Sequence, residues 1–273
     1  MNDHISQMLL FNKKRKAVSI KETIAMRESG ILMHITSLPT PYGIGTMGKD
    51  AYAFVDFLVR AGQRYWQILP LTPTGYGDSP YQSLGACAGN HYLIDLDRLA
   101  DEGLLKKEEI QNIPWGSNPA RVDFGAMYAH RMNVLRQAFQ RFTPDKAYET
   151  FVEQNRSWLE DYALFTALKD TLGGKPWLEW PEALRLRKAD ALTEKRRELS
   201  DEIRLQYFVQ YEFDRQWKAL RSYANAKGVR IIGDVPIYVP LDSADVWANP
   251  ELFQLDERRH PEQVAGCPPD SFT

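Results

Sequence analysis

Apolar residues follow two rhythms along this chain. Residues 31–35 form a short apolar run that reads as a buried strand. A loop rich in Pro and Gly follows, from Leu38 to Gly45. Ala51, Phe54, Val55, Leu58 and Ala61 then recur at helical spacing, and Gly62 supplies the stop. Residues 65–69 read as the next strand, ended by Pro70. Strand, helix, strand is a βαβ unit with a parallel pair. A long polar loop runs from Thr72 to Asn90, and the pattern then turns mainly helical over 104–112, 125–142, 145–171 and 190–226, with Pro176 and Pro181 breaking the third group from the fourth. Gly228 ends the last helix, and residues 229–232 read as a third buried strand that stops at Gly233-Asp234. Residues 240–273 read as irregular loop. Residues 1–25 are polar and basic, with no clear period, and no internal repeat is present.

Composition narrows the possibilities. The chain has 273 residues, 44% of them hydrophobic and 26% charged, with a formal net charge of −2. That is a globular composition rather than a disordered one, and it lacks the basic excess of a general nucleic-acid binder. Two cysteines, Cys87 and Cys267, exclude a disulfide scaffold and any four-cysteine zinc site, and the five histidines show no zinc-type spacing. No metal and no cofactor is expected. No apolar run reaches the roughly 18 residues of a membrane span. The short run Met8 to Phe11 precedes the basic cluster Lys13 to Lys16, the reverse of a secretory signal, so a cytoplasmic location is expected. Seven basic and five acidic residues interleave over 183–204, which reads as a solvated helix face.

Candidate chemistry sits in loops. Gly43-Ile-Gly45-Thr-Met-Gly48 matches a dinucleotide fingerprint but lies too far past its strand, and the next strand does not end on an acid. These glycines read as a compact loop instead. Gly75-Tyr-Gly-Asp78-Ser79-Pro-Tyr81-Gln82 follows a strand C-terminus, the end that carries the active site in α/β barrels. Its rings, carboxylate, hydroxyl and amide suit a ligand with many hydroxyls, and a capped turn explains them equally well. Asp234 directly follows a strand, where a carboxylate can meet ligand or simply cap a loop. Trp247 and Asp270 are weak signals alone. Gly-x-Ser-x-Gly is absent, and Cys87 lies among small residues that read as packing. Aromatic residues reach 12%, which fits a core or the stacking platforms of a sugar cleft.

Several segments together resemble the amylomaltase type of 4-alpha-glucanotransferase. They are His34-Ile-Thr-Ser-Leu-Pro39, the run from Tyr65 to Gln82, Gly89-Asn90, Arg121-Val-Asp-Phe-Gly-Ala-Met-Tyr128, Trp158-Leu-Glu-Asp-Tyr-Ala-Leu-Phe165, Ile231-Ile-Gly-Asp-Val-Pro-Ile-Tyr238, Asp242-Ser-Ala-Asp-Val-Trp-Ala-Asn-Pro250 and Val264-Ala-Gly-Cys-Pro-Pro-Asp270. The resemblance covers Arg27 onward in family order. It implies an α/β fold, here an incomplete (β/α)8 TIM barrel with its first three strands and a mainly helical insertion over about 91–226. It implies transfer of α-1,4-glucan segments between maltooligosaccharides by a retaining double displacement, with α-glucans as partners and neither nucleic acid nor membrane. By that resemblance Ser79 and Tyr81 border donor subsites, and Asp234 lies in the active-site floor. Asp270 begins a lid, with Ser271 where the family often has Tyr. Tyr76 and Tyr128 match a second glucan site of some relatives.

The family's nucleophile lies in an Arg-x-Asp-His motif on the fourth strand, its acid/base is a Glu on the fifth, and a further Asp on the seventh holds sugar hydroxyls. The 273 residues contain no Arg-x-Asp-His. The expectation is therefore a truncated form without the catalytic pair, inactive in transfer and poorly stable alone, for which glucan binding without catalysis is the alternative function. Residues 1–25 lie outside the resemblance and are expected to be a disordered extension, with translation starting at Met26.

Overall fold

A computed structural model describes residues 27–74, 77–118, 121–263 and 266. The expectations for residues 1–25 and Met26 lie outside these. Three short parallel strands, β1 (Gly30–Leu32), β2 (Tyr65–Gln67) and β3 (Arg230–Ile232), form one sheet in the order β1-β2-β3. The register aligns Ile31, Trp66 and Ile231 in one row, and Leu32, Gln67 and Ile232 in the next. Successive side chains of a strand point to opposite faces, so these rows look in opposite directions. The row through Trp66 meets the helices, and Trp66 is fully buried. The row through Leu32 and Ile232 faces the uncovered side, where they are 57% and 43% exposed.

This corrects the reading of the first and third strands as buried runs. They lie at the sheet edges with one face bare, and on that face Gln67 of the central strand is exposed as well. The strands are also shorter than the apolar runs. Met33 still donates its N–H to the Gln67 carbonyl, but the chain then turns into a 3-10 segment, Ile35–Ser37. His34 explains the early end of β1. Its Nδ1 takes the Leu69 N–H at 3.3 Å, in the place of a backbone acceptor.

Helix α1 (Lys49–Arg60) links β1 to β2 and buries Ala51, Val55 and Leu58. Those positions form one stripe at a helical period. Ala61, expected on the same stripe, is an exposed cap, because Gly62 takes φ +69° and turns the chain away. Between β2 and β3 come α2 (Leu96–Asp101), α3 (Lys107–Gln111), α4 (Phe124–Arg141), α5 (Lys146–Thr171), α6 (Glu182–Arg185), α7 (Ala189–Glu198) and α8 (Ser200–Ala226). The mainly helical segment over 190–226 holds two helices. Leu199 breaks it by burying its side chain in a helical core, with α8 starting directly after. Asp123 and Asp145 cap α4 and α5 by accepting the Ala126 and Tyr148 N–H groups, each about 1 kcal/mol of helix stability.

Two large cores and a small cluster of Phe151, Leu159 and Tyr211 lie among the described residues. The first joins the sheet, α1, α4 and the long helix α8 around Trp66, Val55, Leu135 and Phe208. The second joins α5, α6 and α9 (Ala244–Ala248) around Trp177, Trp180, Phe165 and Trp247. α9 corrects the reading of 240–273 as irregular throughout: Ser243 accepts the Val246 N–H, and Val246 and Trp247 anchor the turn in the core. Over 183–204, Leu184, Leu192 and Leu199 face that core while most charged residues face solvent.

Candidate functional site

The loop after β2 is pinned at both ends. Thr74 and Ser83 form an antiparallel bridge, and Thr72 Oγ1 donates to the Pro80 carbonyl at 3.0 Å. Within it, Ser79 Oγ accepts the Tyr81 N–H at 3.3 Å, and the Gln82 N–H reaches the Ser79 carbonyl at 3.1 Å. This turn projects Tyr81 outward, 42% exposed. Its hydroxyl donates to Asp234 Oδ2 at 2.6 Å, although 153 positions separate the two residues. The bond to the carboxylate raises the Tyr81 pKa, so the ring stays a neutral phenol that donates. Asp234 Oδ1 accepts the Val235 N–H at 2.7 Å, which fixes the carboxylate just beyond β3. Tyr81, Asp234, Val235, Pro236, Ile237 and Tyr238 line a hollow of about 320 Å³.

The C-terminal ends of β2 and β3 therefore bring together three of the sequence-selected residues, Ser79, Tyr81 and Asp234. The hollow offers one acid, Asp234, and two phenols, Tyr81 and Tyr238, beside bare apolar surface: Val235, Ile237 and Tyr238 are 72%, 90% and 69% exposed. Such a surface can hold an amphipathic ring while hydrogen-bonding its edge. Motif reading had not marked Val235, Ile237 or Tyr238 individually. Their signal was an apolar run that continues after a strand has ended.

Tyr128 lies on a different wall. It is 54% exposed on α4, and its hydroxyl donates to Asp78 of the β2 loop. Partial burial and the nearby carboxylate push its pKa up to about 12. Asp78 sits at φ +58° beside Gly77 at φ +80°, a left-handed pair that aims the carboxylate at α4. The Tyr128 ring meets Tyr92 and Phe124 at 6.2 and 6.4 Å. One turn along α4, the fully buried Arg131 donates to the Tyr92 and Ile94 carbonyls and so fastens that wall. Desolvation lowers the Arg131 pKa to about 10. Tyr76 and Asp270 lie outside the described residues.

Other candidates resolve into packing. Trp247 is buried, donates Nε1–H to the Leu184 carbonyl and lies 4.2 Å from the Arg187 guanidinium. A Cβ on Gly45 would fall 1.8 Å from the Ile35 carbonyl, and one on Gly48 would fall 1.9 Å from Asp95 Oδ2. These glycines permit close packing, and the buried Asp95 carboxylate would repel a phosphate there. Cys87 is exposed, which corrects its reading as packed. Gly85 and Gly89 lie against the Tyr162 and Phe213 rings, and Cys87 between them is exposed. Its pKa is raised by partial burial and by Asp245. His34 is buried, and desolvation lowers its pKa to about 4. Among the described residues no group of three or more His, Cys, Asp or Glu could hold a metal ion, and no helix is long and apolar enough to cross a membrane.

Comparison with known proteins places this geometry. The family model described as 4-alpha-glucanotransferase matches residues 33–273. A 4-alpha-glucanotransferase of Thermus thermophilus is 51% identical over 253 residues, covering 90% of this chain and 50% of that protein. One of Clostridium butyricum is 48% identical over 244 residues, covering 88% and 50%. The solved amylomaltase from Streptococcus agalactiae in complex with acarbose superposes with a TM-score of 0.88 at 47% identity, covering 91% of this chain and 51% of that one. The chain thus spans about half the length of the relatives it matches. Its three parallel strands and crossover helices are part of a TIM-barrel fold.

Proposed function

Because this chain belongs to the 4-alpha-glucanotransferase family, glycoside hydrolase family 77, we propose that its Tyr81–Asp234 hollow is a donor-side wall of an α-1,4-glucan cleft. The single observation that carries this is the 2.6 Å bond between Tyr81 and Asp234 at the C-terminal ends of two adjacent barrel strands. Tyr81 offers its ring to a pyranose face. Asp234 and Ser79 offer acceptors to the sugar hydroxyls. A glucan that takes the Asp234 carboxylate replaces the phenol there, and the freed ring turns onto the sugar. That the Streptococcus agalactiae amylomaltase was solved in complex with acarbose supports a saccharide as the ligand class. Tyr128, with Asp78, Tyr92 and Phe124 around it, forms the second glucan wall in the same proposal.

The reaction we assign to the complete cleft is retaining transfer between maltooligosaccharides. That chemistry needs a nucleophile and an acid/base roughly 5 Å apart. The 273 residues carry no Arg-x-Asp-His, and the one carboxylate of the hollow, Asp234, holds Tyr81 and the Val235 N–H. In this proposal the catalytic pair belongs to the half of the relatives' length that these residues do not span. The organisation that follows is a barrel portion beginning near residue 26, with a helical insertion after β2. The test is incubation of residues 1–273 with maltotriose, following both binding and products. Saturable binding without glucose or longer oligomers is expected. Disproportionation above a boiled control contradicts the division of labour, and absence of binding by the folded chain contradicts the site.

A further inference from the structure

We propose that a cleft between α5 and α8 is an additional carbohydrate site that takes a glucosyl residue of an α-glucan chain. The inference rests on the glucan-binding role proposed above, but it uses different residues. The cleft has a volume of about 300 Å³ and shares no lining residue with the Tyr81–Asp234 hollow. Four rings enclose it: Phe151 and Trp158 from α5, Phe213 and Trp217 from α8. The two phenyl rings are largely buried, and the two indoles are only half-buried.

The indoles differ in one respect. Of the seven tryptophans, six donate Nε1–H to a protein acceptor. Trp158 is among them, held by Asn155 Oδ1 at 3.0 Å on the cleft wall. Trp217 alone has no acceptor among the described residues. Three positions earlier on α8, Asp214 also lines the cleft. One of its oxygens pairs with the exposed Lys218 at 2.6 Å, and its other oxygen has no partner among the described residues. Residues three apart share a helix face. One helix face of the cleft thus carries an indole N–H with no protein acceptor and a carboxylate with one unpaired oxygen, opposite the half-buried indole of Trp158.

Sugar hydroxyls both donate and accept, and the C–H face of a pyranose packs on a ring. This donor–acceptor pair over aromatic walls therefore matches a hexose better than a flat aromatic ligand or an anion. An anion would meet the Asp214 charge. The cleft is also fixed before anything binds. Gln210 clamps Gly89 by accepting its N–H at 2.7 Å and donating to its carbonyl at 3.0 Å. A Cβ on Gly89 would fall 2.0 Å from the Phe213 ring, so the floor lies directly on that ring. A preformed cleft loses little entropy on binding. Such a site would hold a long glucan near the enzyme while its reacting segment occupies the main cleft.

The test is a titration of the ¹⁵N-indole-labelled chain with maltoheptaose, with the Trp217 signal identified by its absence in Trp217→Phe. The expected result is a saturable shift of that signal. The shift persists in a Tyr81→Ala/Asp234→Asn double variant, and Asp214→Ala weakens its titration about tenfold, as loss of a charged acceptor should. If the Trp217 signal stays still while the amides of Gly233, Asp234, Val235, Ile237 and Tyr238 move, the cleft inference is overturned and the main-site reading stands. If Trp217 moves and those amides do not, the cleft inference stands and the main-site reading fails. If neither moves, both are overturned.

Discussion

The sheet and the helical core solve burial in opposite ways. Around Trp177, Trp180 and Trp247 the helices close on themselves. Trp180 packs against Phe165 and Trp247 at 5.2 to 5.7 Å, and each indole N–H finds a carbonyl. The sheet buries one row of side chains under α1 and α8 and leaves the other bare, with Leu32 and Ile232 exposed and Ile237 at 90% beyond them. A parallel sheet is stable when both faces are covered. The same apolar residue therefore carries stability in one region and surface in the other. The residues proposed to meet glucan, Tyr81 and Asp234, lie at the bare region.

Substitutions break this comparison most strongly in the closed core. Trp247→Ala should cost about 3–5 kcal/mol in urea unfolding, the usual penalty for emptying a packed aromatic site. Ile232→Thr and Leu32→Thr should change stability by less than about 0.5 kcal/mol. Equal losses in the two regions would show that the sheet face is covered in solution.

His34 gives the next effect. Its folded pKa, about 4, lies below the ordinary 6.5, because burial favours the neutral ring. Between those values the unfolded chain binds a proton that the folded chain does not. Stability from this group is therefore complete above about pH 6.5 and is lost as pH falls toward 4. A loss on the order of 2–3 kcal/mol over that window is expected. His34→Gln should flatten the slope of unfolding free energy against pH, and an unchanged slope would remove His34 from the account.

Tyr81→Ala sharpens the comparison from the ligand side. Losing this ring should weaken maltooligosaccharide binding by about 1–3 kcal/mol, while the melting curve stays in place. A fall in melting temperature with binding unchanged would return Tyr81 to a packing role. The smallest stability effect belongs to Val235→Asp with Ile237→Asp. These should leave unfolding free energy within about 0.5 kcal/mol and lower the binding of a hydrophobic dye. Undiminished dye binding would place the exposed apolar surface elsewhere.

Much of this architecture is legible in the residues. The stripe Ala51, Val55, Leu58 marks α1, Gly62 marks its end, and Asp123 and Asp145 sit where α4 and α5 begin. The end of β3 at Ile232 was legible, but that of β1 at Leu32 was not, because a side chain, His34 Nδ1, takes the Leu69 N–H there. The break at Leu199 escaped for another reason: a leucine that turns into a second core keeps the same helical spacing as one that continues the helix. Ser79, Tyr81 and Asp234 stood out in the sequence, but their meeting did not, since a hydrogen bond across 153 positions leaves no local trace. Trp217 and Asp214 were invisible among the helical residues. Only the packing of α5 beside α8 turns that helix face into a cleft wall.

The most direct test of the central claim follows the backbone amide of Val235, which donates to the Asp234 carboxylate, during titration with maltotriose. A glucan that engages Asp234 perturbs this amide. A saturable shift in the native chain that weakens on Tyr81→Ala, with the remaining spectrum unchanged, is the predicted result. A Val235 signal that stays still at saturating maltotriose in the folded chain would contradict the assignment of this hollow to α-glucan.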